Sequence, residues 1–433
     1  MAQRTPVTTT LTAAVTAGVA ASLADVDADL ARRYPGDPAT RQPVHTVYVP
    51  ADRFTAGTTR AWGEQALALL AAHAPDAAAL AATLDLPESL AVPVHQRVHA
   101  KLTAEPVEDL RIDFEDGYGT RPDAEEDADA ARAARLVARA TADRTAPPFV
   151  GLRMKCLEAA VRDRGIRTLD VFLTTLLAAG PLPTGLAITL PKVSRPEQVA
   201  AMATLCREFE TAAGLPQGRL GFEIQIETSQ SILGPDGTAT VARLIDAAGG
   251  RATALHYGTF DYSAALQISA AHQAPDHPAA DHAKAVMQVA AAGTGVRLSD
   301  GSTNVLPTGD TAQVHATWRL HHGLVSRALA RGYYQGWDMH PGHLPTRYAA
   351  VYAFYRAGLD SAAARLAAYA RTTGPGTTGG PPAAVLDEPA TARALAGFLL
   401  RGLDCGALDL AEVTDRAGLS RAQLATLAGR QSG

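Results

Sequence analysis

The chain has 433 residues, 47% of them hydrophobic and 19% charged, enough apolar material for one large domain with an extension. Its net charge of −5 gives no ground for a nucleic acid or an anionic membrane as partner. The three cysteines, Cys156, Cys206 and Cys405, lie far apart, which argues against a disulfide framework or a zinc site and fits a reducing cytoplasm.

Residues 1–25 are rich in Thr and Ala and lack the basic start and continuous apolar stretch of a secretory signal, and no run of about 18 apolar residues suggests a membrane span. Residues 1–43 are expected to form an N-terminal helical segment. From there on, short apolar runs alternate with longer helical patterns. The first run is Val44-His45-Thr46-Val47-Tyr48-Val49, stopped by Pro50. An extra helical insertion, residues 75–105, precedes the run ending in Ile112-Asp113-Phe114. Runs follow at Phe149–Arg153, Leu186–Leu190, Leu220–Ile226 and Ala252–Tyr257, with weaker candidates near Val296–Leu298 and Tyr334–Trp337. Helical patterns lie between them, at 123–144, 166–179, 195–213, 238–248, 279–292, 310–331 and 344–370. Such alternation means parallel strands joined by helical crossovers, and eight strands can close a (β/α)8 TIM barrel, expected over 44–370. The Gly/Pro-rich segment 371–384 reads as a linker and 385–433 as a C-terminal helical extension. The tail around Thr414–Leu424 has a helix–turn–helix flavour, but without a basic stripe it reads better as a capped helix pair with Ser420 as N-cap.

Polar residues recur at or just past the strand ends: Asp113, Arg153, Lys192, Glu227, Asp261 and Asp300, at gaps of 40, 39, 35, 34 and 39 residues, about one βα unit each. In such barrels the C-terminal strand ends and the loops after them build the catalytic face. Glu227 and Asp261, on neighbouring strands, can share one hard divalent cation; magnesium needs only one or two carboxylates. The plainer alternative is a pair of exposed loop carboxylates. Arg153 can hold a substrate carboxylate or meet charge on an enolate, or it can form an ion pair with the Asp113-Phe114-Glu115-Asp116 cluster. Asp113, Glu115 and Asp116 crowd three acids together, which raises their proton affinity unless a cation compensates, and makes them acid/base candidates. Lys192 suits an electrostatic or a purely surface role better than a Schiff base. His340 and His343 have the spacing of a metal pair, but Pro341-Gly342 makes the segment a turn. His272, His277 and His282, five residues apart, share no helical face and read as loop and helix-start residues.

In order and register these motifs resemble the citrate lyase β-subunit-like and hydroxy-oxo-acid aldolase superfamily, with malate synthase a more distant likeness. Val47-Tyr48-Val49-Pro50-Ala51-Asp52-Arg53 is similar to its first strand, Asp113-Phe114-Glu115-Asp116 to its acidic motif, and Leu190-Pro191-Lys192-Val193 to its fourth-strand Pro-Lys. Ile226-Glu227-Thr228 and Gly258-Thr259-Phe260-Asp261 resemble the motifs that carry its two magnesium ligands, and Met339-His340-Pro341-Gly342 its His-Pro turn. The resemblance implies Mg2+ on Glu227 and Asp261, with Mn2+ as an alternative, and a coenzyme A thioester as an alternative substrate. It also implies a homo-oligomer, trimer or hexamer, in which Asp387 of Leu386-Asp387-Glu388-Pro389 reaches a neighbouring subunit's site as an acid/base. Asp387 equally fits an N-cap. The sequence departs from the family where Asp116 replaces the aldolase branch's histidine, where Met154-Lys155 follows Arg153, and in a longer segment 262–282.

These readings converge on a metal-dependent carbon–carbon lyase acting on a small carboxylate, catalytic through Arg153, Asp113, Glu115, Asp116 and Asp387, and binding substrate through Arg153 and Lys192. The rival readings are a malate-synthase-like condensing enzyme and a non-catalytic barrel serving as a binding module. Glu227→Gln is expected to abolish turnover while leaving the circular-dichroism spectrum unchanged; full activity in that variant would remove the metal assignment.

Overall fold

The structure, a computed structural model, describes residues 9–373 and 388–430. Eight parallel strands run in the order β7-β6-β5-β4-β3-β2-β1-β8. They are β1 (His45–Pro50), β2 (Asp109–Asp113), β3 (Phe149–Arg153), β4 (Leu186–Leu190), β5 (Phe222–Ile226), β6 (Ala252–Tyr257), β7 (Arg297–Ser299) and β8 (Gly336–Asp338). The ring closes between β7 and β8 through a single Ser299–Gln335 bridge and a 2.8 Å bond from Asp300 N to Gln335 O. A (β/α)8 barrel results, as the alternation of runs implies. The two weakest runs form the two shortest strands, on either side of that thin seam.

The first helices are α1 (Ala13–Arg33), α2 (Thr58–His73), α3 (Ala77–Leu84) and α4 (Glu88–Ala104). The last two are the insertion before β2, and α1 buries none of its residues. The crossovers continue with α5 (Asp123–Ala142), α6 (Arg162–Ala179), α7 (Pro196–Ala212), the one-turn α8 (Ser229–Ile232), α9 (Thr240–Ala247), α10 (Thr259–Ala265), α11 (Pro278–Ala291) and α12 (Thr311–Ala330). The long α13 (Leu344–Thr373) follows β8, and α14 (Pro389–Asp404), α15 (Leu410–Ala417) and α16 (Arg421–Ala428) pack back on it and on one another. Ser420 caps α16 by accepting from Gln423 N, as its position suggests. Among the described residues no single helix is long and apolar enough to cross a membrane.

Strand alternation sorts the side chains into two sets. Val47, Val49, Leu110, Ile112, Leu152, Ile188, Ile224 and Ile226 are buried in the apolar layer around the strands. The other set is charged. Arg111 on β2 donates to Thr189 Oγ1 at 3.1 Å and to both oxygens of Glu223 on β5, at 3.0 and 2.7 Å, and pairs with Asp109. Asp109 in turn accepts from Thr46 at 2.8 Å, and Thr46 from Gln335 at 2.9 Å. Barrel interiors are usually filled by branched apolar residues. Here an ion-paired column fills this one, and it holds only because every charge has a partner.

Outside the barrel, Glu210 on α7 is fully enclosed. It accepts from Gly218 N and Leu220 N at 3.0 and 2.7 Å and grips Arg251 at 2.8 and 2.7 Å, so it ties the end of α7 to the entrances of β5 and β6. The Arg251 hydrogen bonds, against the cost of burial, hold its carboxyl at about 2, below the usual 4.5. Its stabilisation is therefore complete above about pH 4.5 and is lost as pH falls towards 2. Glu210→Gln should lower stability at pH 7 by about 3 kcal/mol in urea unfolding. The gap from wild type should shrink steadily below pH 4.5; a gap independent of pH would contradict this role.

Candidate active site

The C-terminal strand ends bring Asp113, Glu115, Asp116, Arg153, Lys192, Glu227 and Asp261 together. Asp113 ends β2 and Arg153 ends the adjacent β3, paired in register. Arg153 is 2% exposed, and its Nε and Nη2 lie 2.7 and 2.8 Å from the two oxygens of Asp113. The same oxygens accept from Glu115 N and Gly117 N at 3.0 and 2.9 Å. Gly117 is required here, since a Cβ would come within 2.6 Å of Asp113 Oδ2. The guanidinium also lies over the rings of Tyr48 and Trp337, at 4.8 and 5.8 Å. The sequence offers Arg153 a substrate carboxylate or an ion pair, and the structure commits its two-pronged edge to Asp113. Nη1 remains, 3.4 Å from Glu115 and 3.9 Å from Asp116.

Lys192 follows β4 in the left-handed region at φ 50°. That conformation turns its backbone N–H onto Glu227 Oε1 at 2.7 Å, while its ammonium meets Glu115, Asp116 and Asp261 at 3.0, 3.0 and 3.2 Å. Burial alone would favour the free amine, but Glu227, Glu115 and Asp116 hold the ammonium firmly protonated. A Schiff base is thereby disfavoured.

Glu227 follows β5 and is 2% exposed. Burial pushes its carboxyl up to about 7 and Asp261 reinforces the rise, while Lys192 and Arg153 oppose it. Asp261 sits in the first turn of α10 rather than at the strand end, and its side chain is about half exposed. Gly258 ends the backbone between them; a Cβ there would lie 2.5 Å from Glu227 Cβ and 2.6 Å from its Oε2. Burial likewise raises Glu115, with Asp116 adding to it against Arg153 and Lys192. In Asp116 the cost of burial is outweighed by the hydrogen bond with Glu115 and by Lys192 and Arg153, so it is lowered. The crowding of acids therefore splits into one carboxyl that holds a proton more readily and one that releases it.

The donor set fits a hard divalent cation. Two carboxylates, one buried and one about half exposed, both meet Lys192, and magnesium takes only one or two carboxylates beside substrate and water oxygens. Among the described residues a three-ligand group, with ligand atoms within 4.8 Å of one another, lies elsewhere, at His321, Asp338 and His343. Asp338 there is already bound by Arg347 at 2.8 Å, His45 at 2.9 Å and His321 at 3.0 Å. His340 does not join it, accepting from Gly342 N instead, so the His340/His343 spacing makes no metal pair.

Other expectations are redistributed. Asp300 faces Lys284 at 2.9 Å and is spent in that pair. Lys155, one of the departures after Arg153, bonds Phe114 O at 2.7 Å, Gly119 O at 3.2 Å and Glu126 at 2.8 Å, and so fixes the acidic loop. His277 caps α11 and His272 sits in a loop turn, as read. Asp387 lies outside the described residues. Sequence reasoning missed Arg111, Glu223 and Gln225 beneath the site. Glu223, Gln225 and Glu227 share one face of β5 at a spacing of two, a signal visible in the sequence.

A (β/α)8 barrel whose mouth gathers five carboxylates around two cations defines the class. Within it the chain belongs to the family described as "Domain of unknown function (DUF6986)", whose model matches residues 23–432. No curated protein matches. Among solved structures the chain is similar to the CitE protein of Mycobacterium tuberculosis in complex with magnesium, acetoacetate and coenzyme A. Identity is 18%, covering 85% of this chain and 99% of that one, with a TM-score of 0.48. It is also similar to Haloferax volcanii malate synthase with glyoxylate, at 14% identity, 88% of each chain and a TM-score of 0.45. A third is the M. tuberculosis citrate lyase β subunit complexed with oxaloacetate and magnesium, at 17% identity, 74% and 99% coverage and 0.40. These are the groups that the motifs resemble. The fold rests on the strand order described above, and the chemistry below on the residues.

Gly258→Ala tests the cradle, because its φ of −100° suits alanine and only the contact with Glu227 changes. Mn2+ binding, followed by electron paramagnetic resonance, should weaken about tenfold or more with the fold retained; unchanged affinity would mean that Glu227 does not hold the ion.

Proposed function

We propose that this protein is a magnesium-dependent carbon–carbon lyase acting on a small 2-oxo or hydroxy acid. The observation that carries the reading is the convergence of Glu115, Asp116 and Asp261 on one lysine, with the buried Glu227 on that lysine's backbone. Glu227 and Asp261 would hold Mg2+ or Mn2+. Bound there, the cation supplies Lewis-acid polarisation of carbonyl and carboxylate oxygens.

The chain's own residues then act as follows. Arg153, fixed by Asp113, offers Nη1 to a substrate oxygen. Because its other edge is committed, its orientation is set before substrate arrives. Lys192 adds a second positive charge beside the same oxygen. Asp116, held ionised, accepts the hydroxyl proton of a hydroxy acid as the carbon–carbon bond breaks to a carbonyl product and an enolate. Glu115, which holds a proton more readily, returns one to the enolate carbon. In the proposed homo-oligomer, a trimer or hexamer in the cytoplasm, Asp387 would be an alternative proton carrier from a neighbouring subunit.

Calorimetry with pyruvate, oxaloacetate, glyoxylate and acetyl-CoA, with and without Mg2+, tests this reading. A 2-oxo acid should bind only with Mg2+, and Asp261→Ala should abolish that binding; metal-independent binding, or its survival in the variant, would contradict it. Thiol release from acetyl-CoA with glyoxylate would instead establish the condensing, malate-synthase-like reaction.

A further inference from the structure

A cavity of about 300 Å³ opens at the other end of the barrel, among the entrances to β1, β7 and β8 and the C-terminal helices. Its walls come from residues 36–44 before β1, the turn 291–298 into β7, Gly332 and Tyr334 before β8, Tyr355 of α13, and Arg401, Asp404 and Arg430 of the extension. Barrel enzymes place catalysis at the opposite face, and this end ordinarily serves stability. Here it carries a built polar chamber of a size that takes a small metabolite.

The charges in that chamber do not balance. Three guanidiniums, Arg297, Arg401 and Arg430, line it against two carboxylates, Asp37 and Asp404. Arg430 is 8% exposed and spans both acids, 3.2 Å from Asp37 and 2.9 Å from Asp404, while Arg421 adds a further positive charge on Asp404. Arg401 stands 3.8 Å from Asp37 and lies over the Tyr334 ring at 4.5 Å. Arg297 is left without a carboxylate within ion-pair distance among the described residues; one nitrogen of its fork bonds only Thr40, through its carbonyl at 2.9 Å and its hydroxyl. Desolvation, resisted by Asp37 and aided by Arg430, weakens its hold on its proton. A half-buried guanidinium at the wall of a cavity, with no carboxylate to pair it, leaves donors open to an anion, and its planar fork suits a carboxylate or phosphate.

We propose that this chamber is an anion-binding site, separate from the barrel mouth, in which Arg297 and Arg401 hold the oxyanion of a small phosphate or carboxylate metabolite against the Tyr334 ring. The ligand would tie α14 and the residue after α16 to the barrel floor, so its binding is read as stabilisation of the whole chain.

The test is thermal unfolding of the full chain at low ionic strength with millimolar inorganic phosphate, with succinate, and with chloride at matched ionic strength. Phosphate or succinate should raise Tm well beyond chloride, and the stronger of the two identifies the oxyanion class. Arg297→Gln should lose the rise. Ala292→Phe, a substitution on the exposed rim that touches no ion pair, should lose it too by filling the chamber, and it serves where Arg297→Gln does not fold. Glu227→Gln, at the mouth, should keep it. An equal rise with chloride, a rise that persists in Arg297→Gln or Ala292→Phe, or one abolished by Glu227→Gln would overturn the assignment.

Discussion

The barrel mouth is organised around a shortage of positive charge. Asp113, Glu115, Asp116, Glu227 and Asp261 face only Arg153 and Lys192, so at full ionisation three negative charges remain uncompensated. Water cannot screen Glu227 or Arg153, which are both 2% exposed. The rise of Glu227 to about 7 follows from burial in such a place. A divalent cation would offset two of those three charges, and in its absence a proton on Glu227 offsets one. Coupling between metal binding and proton release follows directly.

The stability of that arrangement depends on what lies beneath it. Arg111, Asp109 and Glu223 occupy the barrel interior in a closed set of ion pairs, and the backbone of β2 and β5 carries their order upwards to Asp113 and Glu227. An apolar interior would bind the strands equally well. The ion-paired one also fixes which face of each strand turns inwards, because a slip of one residue would bury unpaired charges in the apolar layer. Lys155 does similar service outside, anchoring the loop that carries Glu115 and Asp116. The C-terminal helices then cover the opposite end, where Arg430 bridges the N-terminal Asp37 and Asp404 of α14.

Much of this was legible in the sequence because barrel geometry repeats at a fixed interval. The spacing of about one βα unit from Asp113 to Asp261 picks out side chains that meet in space, and the apolar runs mark all eight strands. What escaped was direction. Arg153 could be placed at the mouth, but its choice of Asp113 over a substrate oxygen depends on angles that spacing does not encode. Asp300 keeps the spacing and yet turns to Lys284, a residue on the preceding helix that no strand-end rule would select. The charged interior was hidden by reading Leu220–Ile226 as an apolar run, when its Glu223 and Gln225 already announced a polar face. The chamber at the far end joins segments near both ends of the chain, and no local pattern foretells it.

The account stands most directly on where a divalent cation binds. Crystals soaked in Mn2+ and measured at its absorption edge would show this without reference to any substrate. The charge balance at the mouth predicts one anomalous peak per chain within about 2.3 Å of carboxylate oxygens of both Glu227 and Asp261. A peak at His321, Asp338 and His343 instead, or none at the mouth, would contradict it.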